Sequence, residues 1–378
     1  MKSNNKILRA VTVSESVEFY TPIVKNLQEK GYEVVSVSSS GPELDLLRKD
    51  GIKVIEVPME RHISLIKDLL SFKNLVFIFR KEKPRMVHSM TPKAGLLCMI
   101  ASYITHVPIR VHTFTGLVWP TAKGLTRRIL MFTDWLTCAC ATHIIPEGDG
   151  VLNDLHKHIT KKPMKVLGYG NVRGVDMTRF SKRDEVLNLS ESLIKNTVFT
   201  FIFVGRIVGD KGINELIEAF LELLKVHNNI RLFLVGNYEQ DLDPILKLTK
   251  DRIDSTPEIK SVGPKFGDEL LAYYASSDCF VFPSYREGFP NTVMEAGAMD
   301  LPSIVTDTNG SREIIENGKN GVIIPSKDVD SLYKAMRQMI EDKDAYNTMV
   351  ANARPMIESR FEQSFVRKCL LDFYEEIM

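Results

Sequence analysis

Short apolar, β-branched runs alternate with stretches of helical periodicity along the whole chain. That alternation predicts a parallel α/β fold. In the first half the predicted strands are Ile7–Thr12, Glu33–Ser38, Lys53–Val57, Met86–Ser89, Ile109–Thr113, His143–Pro146 and Lys165–Leu167. A second series opens with Phe199–Val204 and continues with Arg231–Val235, Ile259–Val262, Cys279–Pro283, Ser303–Thr306 and Gly321–Ile324. Several of these runs are apolar without alternation, so helices should cover both faces of each sheet. Glu18–Lys30 reads as a helix stopped by Gly31. Ile213–Val226 reads as a second helix, with Ile213, Leu216, Ile217, Phe220, Leu221 and Leu224 on one face. A final amphipathic helix, Phe361–Glu376, has Phe361, Phe365, Leu370, Phe373 and Ile377 as its spine.

The two series imply two domains, 1–170 and 171–360, with the segment 361–378 packing back onto the first. A length of 378 residues suits that division. Between the series lies Leu167-Gly-Tyr-Gly-Asn-Val-Arg-Gly174. Its glycine spacing does not match a dinucleotide loop and no helix follows directly, so it reads as an interdomain linker and hinge.

Charge sharpens this picture. The net charge is only +1, which argues against a nucleic-acid partner. Yet residues 1–170 carry 24 Lys and Arg against 15 Asp and Glu, and the remainder carries 25 against 33. A basic half can face anionic lipid or a diphosphate-bearing acceptor; uneven solvated surface explains it too. The five cysteines, Cys98, Cys138, Cys140, Cys279 and Cys369, sit in apolar runs without a CxxC pair, as expected of buried thiols in a reducing compartment. No signal peptide is visible, and the longest apolar stretch, about 94–109, is too short to span a bilayer. These features point to the cytoplasm, at most peripheral to the inner membrane face.

The densest chemistry lies in Pro283-Ser-Tyr-Arg-Glu-Gly-Phe-Pro-Asn-Thr-Val-Met-Glu-Ala-Gly297. A strand end, a Gly/Pro loop and a helix start follow one another there. The N–H groups of Gly288, Phe289, Asn291 and Thr292 suit phosphate or sugar oxygens. Glu287 and Glu295 can each accept paired hydrogen bonds from vicinal hydroxyls. Val204-Gly-Arg-Ile-Val-Gly-Asp-Lys-Gly212 forms another strand end before a helix. Open α/β sheets bind ligands outside their carboxyl ends, so Arg206 and Lys211 are placed to neutralise a diphosphate.

Joined together, G-R-x-x-x-D-K-G, F-V-G-N, the V-G-P turn, S-D-C-F-V-F-P-S and E-G-F-P-N-T-V-M-E-A resemble glycosyltransferase family 4, retaining enzymes with an E-x7-E motif. The resemblance implies the GT-B fold: two Rossmann-like parallel-sheet domains facing across a cleft, the first for the acceptor and the second for the nucleotide sugar. It also implies roles. Arg206 and Lys211 would bind the donor diphosphate, Glu295 the ribose, and Glu287 the transferred sugar. Gly205, Val262, Gly263, Gly288, Phe289, Pro290, Asn291 and Thr292 would line the donor site. His112, at a strand end, would contact the transferred sugar.

Val87-His-Ser-Met-Thr-Pro-Lys-Ala-Gly95 resembles the subgroup acting on undecaprenyl-diphosphate-linked sugars, which makes His88 and Lys93 acceptor residues. The loop after the first strand lacks the glycines common in this family, so Ser14 and Ser16 would serve there. A family glycine is replaced by Asp300.

The resemblance thus implies transfer of a hexose or N-acetylhexosamine from a nucleotide diphosphate sugar, UDP foremost, to a lipid-linked saccharide in surface-glycan assembly. No cofactor and no metal would be required. The resemblance also implies same-face attack, with the leaving diphosphate helping to take the acceptor proton; no carboxylate pair arranged as in a glycosidase stands out. Alternatives are a sugar-nucleotide epimerase of the same fold and a non-catalytic sugar-nucleotide-binding scaffold. A metal-dependent enzyme would need Asp-x-Asp, which Asp241-Leu-Asp243 and Asp328-Val-Asp330 spell; Asp328 reads better as a helix cap. In the segment 121–132, Lys123, Arg127 and Arg128 lie beside Leu125, Ile129, Leu130 and Phe132. An anionic membrane surface and a helix packed on the first sheet both explain it, and 64–83 is a second such candidate.

Overall fold

The computed structural model describes residues 5–60, 64–194, 197–239 and 243–378. Asp241 of the Asp-x-Asp spelling lies outside them. The chain divides into two compact units. One comprises residues 1–174 and 364–378, the other 175–363.

The first unit is built on a six-stranded parallel sheet in the order β3-β2-β1-β4-β5-β6. Its strands are β1 (Lys6–Ala10), β2 (Glu33–Ser38), β3 (Lys53–Glu56), β4 (Met86–Met90), β5 (Ile109–Phe114) and β6 (His143–Pro146). The second unit has the same wiring, with order β12-β11-β10-β7-β8-β9. These are β7 (Phe199–Val204), β8 (Ile230–Val235), β9 (Ile259–Gly263), β10 (Cys279–Phe282), β11 (Ser303–Thr306) and β12 (Gly321–Ile324). Apolar clusters cover both faces of the first sheet. Every residue of β4, β8, β10 and β11 is buried, so none of them alternates with solvent-facing charge, although β4 holds His88 and Ser89 and β8 holds Arg231.

The expected strand Lys165–Leu167 does not form. That segment runs beside β6 and Lys165 N donates to Ile144 O at 3.2 Å, but Pro163 just upstream supplies no N–H to extend a ladder. The helix expected from Glu18 starts later: a 3-10 turn, Ser14–Phe19, precedes the α-helix Thr21–Glu29. Gly31 follows at φ +81, the left-handed stop expected of it. The helix from Ile213 ends at Leu224. The last helix is Gln363–Ile377; Phe361 instead ends the preceding helix, Lys343–Phe361, in the second unit. Asp328 caps its helix, accepting from Ser331 N at 2.9 Å.

Asp300 takes φ +65, the conformation a glycine would adopt freely. The boundary after Gly174 is braced locally, where Asn171 Oδ1 accepts from Arg173 N at 2.8 Å and Gly174 N at 2.7 Å. Cys98, Cys138, Cys140 and Cys279 are buried and Cys369 is half-buried. No helix among the described residues is long and apolar enough to cross a membrane.

The returning helix is fastened by a buried polar chain. Arg9 on β1 is 1 % exposed and donates to the Tyr374 hydroxyl at 2.5 Å. Tyr374 bonds His88 Nδ1 at 2.5 Å, and His88 Nε2 reaches Thr113 Oγ1 at 2.7 Å. Burial, with Arg9 nearby, pushes the His88 pKa well below its usual value. A neutral ring accepting at Nδ1 and donating at Nε2 satisfies this chain. Tyr374→Phe should leave both Arg9 and His88 short of a partner. We expect a stability loss of ~1–3 kcal/mol in chemical denaturation.

Burial also pushes the Asp134 carboxyl, on the helix Gly124–Cys140, up to about 7. Its folded-state pKa thus exceeds the unfolded value of ~3.9, so the folded chain holds this proton more tightly. Stability from this group is full at low pH and declines as pH rises toward 7. Denaturation midpoints between pH 5 and 7.5 should therefore fall in the wild type. Asp134→Asn should flatten that decline and gain ~1–3 kcal/mol at neutral pH.

Candidate active site

In the second unit the chain reverses direction across the sheet between β7 and β10. That switch point opens a crevice at the carboxyl ends. β7 ends at Gly205, whose φ of +155 turns the chain away from the sheet before Arg206. Gly236 follows β8 at φ +151, and a side chain there would collide with the Gly205 carbonyl. The next turn, Gly209–Lys211, is pinned by Asp243, which accepts from Gly209 N through its carbonyl (2.9 Å) and from Asp210 N through its carboxylate (2.5 Å). Gly212, at φ +71, lies so close to the Pro283 carbonyl that a β-carbon has no room. This approach carries Lys211 to the end of β10.

Two further bonds join the rim loops. Tyr285 N donates to Asp210 O at 2.8 Å, and Arg286 Nη2 to Asp210 Oδ2 at 2.9 Å. The result is a direct Lys211–Glu287 ion pair whose side chains are 14 % and 12 % exposed. The Lys211 ammonium also sits 5.0 Å from the centre of the Phe282 ring. Arg206 is more open and pairs with Glu239 at 2.8 Å. Glu295 is buried in the helix Asn291–Ala298, whose first turn holds the half-buried Asn291 and Thr292. Gly310 packs on the Gly288 carbonyl and fixes the loop before that helix.

Arg206, Lys211, Glu287, Gly288, Asn291, Thr292 and Glu295 therefore share the β7–β10 rim, and Gly205 shapes it. Val262 and Gly263 end β9, on the far side of β8; the Gly263 carbonyl accepts from Gly236 N at 3.0 Å. Two further expected donor residues, Phe289 and Pro290, have buried side chains; the expectation for Phe289 concerned its N–H. The Phe289 side chain is core, edge-on to Phe361 at 5.3 Å. Pro290 is buried, has no N–H, and its carbonyl accepts from Val293 N at 3.2 Å. The sequence assigns Glu239 no role and marks Asp243 only as part of an Asp-x-Asp spelling; Asp210 and Arg286 lie inside the two motifs but carry no assigned role there.

In the first unit the equivalent switch point lies between β1 and β4. Lys93 is there, bonded to Asp68 at 2.7 Å, and both line a cavity with Thr12, Ser16 and Thr91. Thr91 holds φ +68, ψ 145, a strained setting for a β-branched residue, braced by Thr12 Oγ1 at 2.8 Å. Three expectations are corrected. Ser14 is buried against Gly41 and donates to Glu43 at 2.6 Å, so Ser16 rather than Ser14 meets the cavity. His88 belongs to the core chain described above, with both ring nitrogens bonded. His112 is not at the strand end but two residues before it, 1 % exposed and bonded to Ser89 at 2.9 Å. Burial lowers its pKa to about 3, and its ring fills the space left by Gly95. Among the described residues no cluster of His, Cys, Asp and Glu suits a metal ion.

Comparison with known proteins places this architecture. A family model described as glycosyl transferases group 1 matches residues 187–356, and one described as glycosyl transferase 4-like matches residues 6–140. The capsular polysaccharide biosynthesis glycosyltransferase CapM of Staphylococcus aureus is 33 % identical across 99 % of this chain and 98 % of its own. The chain belongs to this glycosyltransferase family. The transferase is also 29 % identical, over 85 % of its length and 83 % of the relative's, to a UDP-Gal:alpha-D-GlcNAc-diphosphoundecaprenol alpha-1,3-galactosyltransferase of Escherichia coli. Its fold matches Anabaena HepE solved with UDP and glucose, with TM-score 0.80, 18 % identity and coverage of 98 % and 99 % of the two chains. A Thermosynechococcus elongatus sucrose-phosphate synthase gives 0.81 at 16 % identity, covering 99 % of each chain. The transferase therefore has the GT-B fold.

The Lys211–Glu287 pair makes a direct stability test. Lys211→Met leaves a shielded carboxylate without its cation and should cost ~1–3 kcal/mol in urea denaturation. The Lys211→Met/Glu287→Gln double variant should recover part of that loss.

Proposed function

We propose that this glycosyltransferase retains configuration and moves a hexose or N-acetylhexosamine from a UDP-sugar to a saccharide carried on a polyprenyl diphosphate. The observation that carries the donor half is the rim itself. Two cations, Arg206 and Lys211, stand on the same edge as the carboxylates Glu287 and Glu295 and a helix N-terminus. The cations suit a diphosphate, and the carboxylates suit vicinal hydroxyls of ribose and sugar. The named activity of the Escherichia coli relative and the UDP bound by HepE support UDP and a lipid diphosphate acceptor. The CapM likeness supports a place in capsular polysaccharide biosynthesis; a lipid-linked acceptor would set that work at the cytoplasmic membrane face.

In this reading the bond from the sugar's anomeric carbon to the diphosphate breaks while the acceptor oxygen bonds that carbon on the same face. The acceptor proton passes to the departing phosphate oxygen. Arg206 and Lys211 offset the charge that builds on the leaving group, so no metal is needed. Lys211 is preset by Glu287, and donor binding exchanges part of that pairing for phosphate and sugar contacts.

The test is a donor screen with purified protein and bacterial lipid extract, read by mass spectrometry of the lipid. A lipid diphosphate should gain one hexose or N-acetylhexosamine from a UDP-sugar, with the anomeric configuration kept and activity persisting in EDTA. Arg206→Ala and Glu287→Ala should each lower kcat/KM by ~100-fold or more. Near-normal turnover of either variant contradicts its assigned role. Transfer only to a soluble saccharide removes the lipid acceptor.

A further inference from the structure

The cavity at the switch point of the first sheet has a volume of about 620 Å³. It is walled by Val13, Leu96, Leu97, Val118, Ile129 and Leu130. A bare saccharide gains little from such walls, since its hydroxyls would lose water without finding partners. Polar lining is limited to hydroxyls and the Asp68–Lys93 pair. The site thus offers an apolar surface with one lysine, which Asp68 holds at its edge.

The cavity is also continuous with the exterior. Val118 and Ile129 line it while remaining 39 % and 44 % exposed. The helices Leu65–Glu82 and Gly124–Cys140 both pack on the helix Pro92–Ile104, and all three contribute walls. Each outer helix carries exposed apolar side chains at helical spacing: Ile66, Leu69, Leu70 and Phe77 on one, Leu125, Phe132 and Trp135 on the other. Exposed cations stand among them, namely Lys67, Lys73, Arg127 and Arg128. Apolar side chains flanked by cations match the boundary between hydrocarbon and anionic headgroups.

We propose that this cavity binds the hydrocarbon segment of a phosphate-bearing lipid, entering past Val118 and Ile129, with Lys93 toward the phosphate. The occupant is the anchor of the acceptor, so the inference rests on the lipid-linked acceptor described above. Its test needs no turnover. Geranyl, farnesyl and geranylgeranyl diphosphates are titrated by calorimetry into the full chain, with the donor site saturated by UDP and inorganic diphosphate as the chainless probe.

Each buried methylene is worth roughly fourfold in affinity (~0.8 kcal/mol), so binding should tighten at least tenfold across the series. Ile129→Trp and Leu97→Trp, which fill the cavity, should flatten that dependence and leave UDP affinity unchanged. Ile129 is half-exposed, so its variant keeps the test available should Leu97→Trp fail to fold. Affinity independent of chain length, or length dependence unchanged in Ile129→Trp, overturns the proposal. Sugar transfer to a lipid acceptor without length-dependent binding sinks the cavity alone. Length-dependent binding with transfer only to soluble saccharides sinks the acceptor reading instead.

Discussion

Parallel pairing is the constraint on which everything else depends. In each sheet all strands run the same way, so all carboxyl ends fall on one edge. The strand order then leaves a gap between the connections of β1 and β4, and again between those of β7 and β10. Loops from distant parts of the chain meet at those two gaps. Lys211 and Glu287, separated by 76 residues, are brought into contact this way. The contact also demands bare backbone: Gly212 lies against the Pro283 carbonyl, and Gly236 against that of Gly205. Sheet topology supplies the edge, and a few glycines supply the closeness.

Much of the fold was legible because burial on both faces writes itself into the sequence. Cys279–Phe282 is an unbroken apolar run because every residue of it is buried, and Phe199–Val204 is nearly one, with Phe199 half-buried and Thr200 inside. Lys165–Leu167 reads as a strand and forms none: Lys165 N reaches Ile144 O on β6, but Pro163 upstream supplies no N–H to extend a ladder, and an apolar run does not record that. The donor rim was legible because its residues cluster in two short motifs. Their pairing with Glu239 and Asp243 was not, since contacts across loops leave no spacing to read; Asp243 stood out only in an Asp-x-Asp spelling.

His88 and His112 show a different limit. A histidine near a strand's end reads the same whether it faces ligand or core. The neighbours decide: Tyr374 and Thr113 occupy one ring, and Ser89 and Gly95 enclose the other. Both are held neutral by burial, so neither brings positive charge to the first unit. The apolar cavity was illegible for a related reason. Its walls come from the loops after β1 and β5 and from three helices, and each alone looks like an ordinary segment.

The returning helix has a consequence for biosynthesis. Arg9 is made early and Tyr374 late, with the whole second unit between them. On the ribosome, residues 175–363 can fold as an unbroken stretch, whereas the first unit must wait with Arg9 lacking its hydroxyl partner. Domains usually fold in order of emergence. Here the unit that emerges first is the one completed last, and an immature chain exposes the bed of the helix Gln363–Ile377 to chaperones until synthesis passes Tyr374.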